Sequence, residues 1–125
     1  MRKDICLSQG ADHVEVFNLE VLSNPQIPYD PVTNPYTTID LTPYTAVLTV
    51  RTAYDGPSVL TLTTGTGITL TNGGQITILF LGQQTQQIQF TGSFADYVYD
   101  LELMNLGYVK RPAQGKFKIS RNATY

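Results

Sequence analysis

Tyr44-Thr45-Ala46-Val47-Leu48-Thr49-Val50-Arg51 sets Tyr44, Ala46, Leu48 and Val50 in one phase and Thr45, Val47, Thr49 and Arg51 in the other. A two-residue period marks a strand, whose successive side chains point to opposite faces, whereas a helix repeats every ~3.6 residues. The stretch therefore predicts a β-strand with one apolar face and one mixed face. Tyr97, Tyr99, Leu101 and Leu103 alternate in the same way with Val98, Asp100, Glu102 and Met104, which predicts a second strand with carboxylates on its outer side.

The segments around these two speak the same language. Ala53 to Ser58 combines turn residues with a proline, and Val59 to Thr63 resumes β-branched residues, as in a hairpin return. Ile68 to Leu70 and Gln75 to Phe80 flank Thr71-Asn72-Gly73-Gly74, where Asn-Gly predicts the positive φ angles of a tight hairpin turn. His13 to Val21 changes phase within a run of strand formers, which predicts a bulge. Leu81 to Gln89 is Gln-rich and reads as a short helical crossover or an irregular loop, and Asn105-Leu106-Gly107 supplies a turn before a last strand, Tyr108 to Ile119. About seven short strands separated by turns predict an all-β protein, an antiparallel β-sandwich.

A chain of 125 residues has the length of one domain, so residues 1–125 are read as a single unit. Its main interruption is Leu22 to Thr38, with Pro25, Pro28, Pro31 and Pro35 and the tyrosines Tyr29 and Tyr36. Prolines lack an amide donor and fix φ, so the segment is expected to be a long proline-rich loop inserted in the sandwich. Such loops are usually functional, and Tyr29 and Tyr36 are candidate partner-binding residues because a tyrosine anchors an interface at low entropic cost.

Charge narrows the partners. The net charge of −2 lacks the basic footprint of a nucleic-acid binder. Yet five of the eight cationic residues, Lys110, Arg111, Lys116, Lys118 and Arg121, fall in the last strand-like segment. Two readings stand: a Lys-rich edge strand that discourages aggregation, or a docking strand for an acidic partner, in which Lys110, Arg111, Lys116 and Lys118 make the contact. Charged residues are only 14% of the chain, below the ~25% of an average domain, which is compatible with surfaces meant to be covered or with a Thr- and Gln-rich solvent face. The N-terminus has no apolar run of a signal peptide, and no segment reaches the ~20 apolar residues of a membrane span, so neither secretion nor a membrane is expected. Asn122-Ala123-Thr124 is then a chance match to the glycosylation pattern.

Residues for chemistry are few. His13 is the one histidine and Cys6 the one cysteine, too few for a nucleophile–base pair with a third member or for a zinc site. Cys6 is expected to be a small buried hydrophobe and His13 an edge or surface residue. Asp96, Asp100 and Glu102 share a face, which is the minimum for paired-carboxylate chemistry or a hard cation, but they also make the polar side of an amphipathic strand. Gly65-Thr66-Gly67 has neither the helix start nor the lysine of a phosphate cradle. The chain is read as no enzyme, with no catalytic, cofactor-binding or metal-binding residues and no cofactor.

Ile39-Asp40-Leu41-Thr42-Pro43-Tyr44-Thr45-Ala46, running on to Arg51, resembles a stretch of small tailed-phage virion proteins and of the N-terminal domain of phage baseplate upper proteins, with Pro43 in place of a glycine. Gly65 to Ile78, Tyr97-Val98-Tyr99-Asp100-Leu101-Glu102-Leu103, Gly115-Lys116-Phe117-Lys118-Ile119-Ser120 and the opening Gln9-Gly10-Ala11-Asp12 resemble further segments of these proteins in the same order. The likeness covers most of Asp4 to Ser120 except the proline-rich loop. It implies an immunoglobulin-like fold and a place in the virion after synthesis in the host cytoplasm. The expected function is a bacteriophage structural protein of the tail, baseplate or fibre-attachment region, binding other virion proteins as a homo- or hetero-oligomer. The alternatives are a capsid decoration (cement) protein and a carbohydrate-binding β-sandwich module.

Overall fold

The computed structural model describes residues 2–22, 26–38 and 40–121. Pro25, Ile39 and the Asn122-Ala123-Thr124 triplet of the sequence reading lie outside them. The strands are β1 (Ile5–Ser8), β2 (His13–Asn18), β3 (Glu20–Leu22), β4 (Tyr36–Thr38), β5 (Thr45–Arg51), β6 (Ser58–Thr64), β7 (Gly67–Leu70), β8 (Gln75–Phe80), β9 (Phe94–Asn105) and β10 (Tyr108–Ser120). One helical turn, α1 (Gly82–Thr85), follows β8. The protein is all-β.

Eight strands form one mixed sheet in the order β1-β10-β9-β5-β6-β7-β8-β2, and β3 and β4 form a separate ribbon. The sequence predicted two stacked antiparallel sheets; the chain instead curls a single sheet until its two ends, β1 and β2, meet. Most ladders are antiparallel. The exceptions are β1 beside β10 and a two-residue link, Thr63↔Gly67 and Thr64↔Ile68, between β6 and β7. Parallel neighbours ordinarily need a long crossover. Here Gly65 and Gly67, at φ +84° and +99°, fold the chain back within two residues.

Alternation works as the central strands promised. Ala46, Leu48 and Val50 of β5 are buried and lie in register with Leu103, Leu101 and Tyr99 of β9. Ile76, Ile78 and Phe80 of β8 close the opposite wall, and the Phe80 and Phe117 rings meet at 5.5 Å between centroids. Leu101 and Leu103 are buried while Asp96, Asp100 and Glu102 occupy the outer face of β9, as expected.

Other expectations are corrected. Cys6 is exposed, because Ile5 and Leu7 on either side take the core positions and the strand period turns Cys6 outward. The last strand is not an edge: β1 adds alongside its Phe117–Ser120 half, so β10 is second in the sheet. The phase change in His13 to Val21 is not a bulge: β2 pairs with β8 in unbroken register, His13, Glu15 and Phe17 share its inner side, and Val14 and Val16 lie on the outer one. The hairpin at Asn72-Gly73 forms, but its positive φ belongs to Gly74, and the Thr71 hydroxyl accepts from Gly73 N and Gln75 N to hold the turn.

The sheet's closure is built from charges. Lys3 Nζ, carried just ahead of β1, reaches Glu15 Oε2 of β2 at 3.0 Å and donates to Val16 O at 3.1 Å. His13 Nε2 lies 2.8 Å from Glu15 Oε1. Glu15 is inward-facing, with a side chain only 14% exposed. Burial pushes its carboxyl pKa up, but the hydrogen bonds and charges of His13 and Lys3 outweigh that and hold it below the usual value. Tyr99 donates its hydroxyl proton to Lys3 O, and burial, with the nearby Glu15 and Asp4 charges, pushes the phenol pKa well up. The connection from β1 to β2, Gln9-Gly10-Ala11-Asp12, docks against α1 and the residues after it. Gln9 Nε2 donates to Ile88 O at 3.0 Å, Gly10 N to Thr85 Oγ1 at 3.0 Å, and Gly82 N to Asp12 Oδ1 at 2.7 Å. A Cβ on Gly82 would sit 2.3 Å from Gly10 O, so this docking requires glycine there.

Candidate functional site

The proline-rich excursion is a structured projection rather than a plain loop. Strands β3 and β4 pair in register Glu20↔Thr38, Val21↔Thr37 and Leu22↔Tyr36. Beyond them, Asp30 and Asn34 exchange backbone hydrogen bonds, Asp30 N to Asn34 O at 3.1 Å and Asn34 N to Asp30 O at 2.9 Å. Asp30 Oδ1 accepts from Val32 N at 2.8 Å and Thr33 N at 3.1 Å, and these donors hold its carboxyl below the usual carboxylate range. Asn34 is fully buried, with Nδ2 donating to Ile27 O and Pro28 O at 3.0 and 2.9 Å. The polar groups of the tip are spent on its own backbone.

Much apolar surface of the described tip is left to solvent. Ile27, Tyr29, Val32 and Tyr36 are all exposed, and the rings of Tyr29 and Tyr36 stack at 4.9 Å with 22° between planes. The structure thus brings the two predicted tyrosines together as a stacked, half-exposed aromatic pair. A second exposed apolar point lies at the β9–β10 turn, where Leu106 is 93% exposed at φ +50° and Val109 is exposed beside it.

The four predicted cations do not gather into one patch. Lys110 is exposed near the β9–β10 turn, and Lys116 is exposed on the outer face, its backbone N donating to Asp4 Oδ1 at 3.1 Å. Lys118 lies 3.8 Å from Asp96 and 5.3 Å from the Phe94 ring centroid. Arg111 reaches Glu102 at 3.4 Å and Asp100 at 3.7 Å.

Arg111 owes its place to a proline. The ladder between β9 and β10 shifts register between Lys110 and Ala113, so Arg111 and Pro112 together oppose Glu102. Proline has no amide to give to the ladder, and the extra residue makes a bulge. Counting back from the buried Ala113, strict alternation would have pointed Arg111 inward; the bulge returns it to the outer face over the carboxylates.

Around Arg111 lies a groove of about 320 Å³, lined also by Thr49, Arg51, Tyr54, Asp100, Glu102 and Gln114. Thr49, Asp100 and Gln114 form one row across β5, β9 and β10. Tyr54 rises from the β5–β6 turn, 64% exposed, and Arg51 Nη1 contacts Gly56 O of that turn at 3.4 Å. Sequence reading singled out Arg111, Asp100 and Glu102 separately and missed the groove. Pro112 inside a strand pattern was the available signal. Among the described residues, no group of three or more His, Cys, Asp or Glu is arranged to hold a metal ion. The chain matches no protein-family model, and no curated protein matches it.

Proposed function

We propose that the chain is a structural protein of a tailed-phage virion that docks onto neighbouring virion proteins of the tail, baseplate or fibre-attachment region. The observation that carries the assembly reading is the projection: a tip whose polar groups are consumed internally while Tyr29, Tyr36, Ile27 and Val32 face solvent. A binding surface already fixed in shape loses little conformational entropy on association, and tyrosines are the residue type such anchors favour. Further support is the order of phage-like segments from Gln9 to Ser120. Lys110, Lys116 and Lys118 give a secondary contact for an acidic neighbour, in which Lys118 exchanges Asp96 of β9 for the partner's carboxylate.

Two measurements test this reading. Mass spectrometry of purified particles of the phage encoding the chain is expected to detect it at a few to some dozens of copies; hundreds would assign it to head decoration, and absence would refute the virion role. The double variant Tyr29→Ser/Tyr36→Ser is expected to fold normally and to be lost from particles. Normal incorporation of that variant would refute docking through the projection.

A further inference from the structure

We infer that the outer-face groove over β5, β9 and β10 is a binding site for a neutral polyhydroxylated ligand, a sugar ring of a glycan. The inference stands on the groove and is independent of the virion reading.

Size comes first. Ligand sites commonly run from roughly 300 to 1,000 Å³, and a groove of about 320 Å³ is at the small end, suited to a ring-sized ligand rather than to a protein segment. Charge comes next. Arg51 and Arg111 face Asp100 and Glu102, two formal positives against two negatives, so the groove has no net attraction for an anion or a cation. An apolar ligand is disfavoured by the same four side chains, whose desolvation it would not compensate.

A zwitterion would match the charges, but it would have to separate pairs that already exist, Arg111 with Glu102 at 3.4 Å and with Asp100 at 3.7 Å. Hydroxyl groups have no such cost. Each is both donor and acceptor, and can give a proton to a carboxylate while accepting one from a guanidinium beside it. The contacts in place are longer than an optimal charge-assisted bond of ~2.7–2.9 Å, so hydroxyls compete on favourable terms. Thr49 and Gln114 add a hydroxyl and an amide, each again donor and acceptor, in the row that includes Asp100.

The aromatic wall completes the match. A sugar ring carries C–H groups on its faces and hydroxyls around its rim, and the negative face of an aromatic ring attracts the former. Tyr54 is 64% exposed at the groove. It stands on a turn held by Gly56 N to Ala53 O at 2.9 Å and Thr52 N to Pro57 O at 3.2 Å. A large ring kept in solvent on a closed turn is a platform awaiting a flat apolar face.

The test is an amide-resolved NMR titration of the full chain with galactose, N-acetylglucosamine and maltose, up to tens of millimolar, against glycine and inorganic phosphate. The expected result is saturable shifts at Thr49, Tyr54, Asp100 and Gln114 with at least one saccharide, weakened about tenfold in Tyr54→Ala, whose spectrum elsewhere stays that of the parent. Arg111→Met, which keeps the aliphatic stem, is expected to lose the same shifts. Absence of groove shifts with all three saccharides overturns the inference, as do shifts produced by glycine or phosphate alone, or saccharide shifts that Tyr54→Ala leaves unchanged. None of these outcomes bears on whether the Tyr29/Tyr36 variant enters particles.

Discussion

The seam between β1 and β2 and the tip of the β3–β4 projection treat polar and apolar groups in opposite ways. At the seam, Phe17 and Ile5 are buried, and the inward Glu15 is matched by Lys3 and His13, so that charge joins two edges of a sheet. At the tip, the buried side chain is Asn34, and the apolar Ile27, Tyr29, Val32 and Tyr36 are outside. The difference teaches what each region is stabilised against. The curled sheet follows the ordinary rule that apolar area removed from water drives folding, whereas the tip is held by hydrogen bonds and leaves apolar area in solvent.

The comparison is broken most strongly from the sheet side. Phe117→Ala removes a fully buried ring that packs on Phe80, and is expected to cost about 3–5 kcal/mol, the range for such truncations. Urea unfolding measures it; a loss below about 1 kcal/mol would mean that the interior is not packed to ordinary protein density.

The seam is the next test. With its pKa held below the usual 4.5, folded Glu15 binds its proton less readily than the unfolded chain does. Its contribution is therefore fully present above pH 4.5 and is lost as acid brings the pH down through the lowered folded value. Glu15→Gln is expected to cost about 1–3 kcal/mol near neutral pH, the scale of hydrogen bonds to charged groups, and to flatten the acid limb of the stability curve. Equal acid limbs in parent and variant would show that the seam does not depend on this carboxylate.

On the tip side, Asn34→Ala removes two bonds to Ile27 O and Pro28 O. Global stability is expected to fall by about 1 kcal/mol or less, because the ribbon lies outside the main sheet and can open locally. Hydrogen exchange at Asp30 N and Asn34 N is the sensitive readout, and it is expected to quicken at least tenfold. Unchanged exchange there would remove the claim that the tip is held by its own polar groups.

How far the sequence disclosed this depends on the range of the interactions. Tyr44 to Arg51 and Tyr97 to Met104 were legible because a strand's period is local and both faces of these two behave uniformly. The exposure of Cys6 was legible in principle from Ile5 and Leu7 beside it. Glu15 was not, since Val14 and Val16 argue for an apolar inner face, and only Lys3 and His13, brought over by curling, make an inward carboxylate tolerable. The joining of Tyr29 to Tyr36 needed the Leu22↔Tyr36 register of the ribbon. Arg111, Asp100 and Glu102 were each visible, but their meeting required the bulge at Pro112, and Tyr54 reaches them from a turn that no periodicity describes.

The smallest effect has the opposite sign. Leu106 occupies the first position of a two-residue β9–β10 turn, at φ +50° before Gly107 at φ +87°. Asparagine and glycine are the residues that such a turn favours, and a leucine in this region is strained by about 1 kcal/mol. At 93% exposure its side chain recovers almost nothing from packing. Leu106→Asn is therefore expected to raise stability by about 0.5–1 kcal/mol, read from the urea midpoint at unchanged slope. The result sharpens the contrast between the two projections, because the β3–β4 tip exposes its apolar groups from a relaxed, internally bonded frame, while the β9–β10 turn exposes Leu106 at a standing cost to the fold. A stability gain combined with reduced entry into particles would mark Leu106 as a contact maintained against folding; a gain with normal entry would leave docking to Tyr29 and Tyr36.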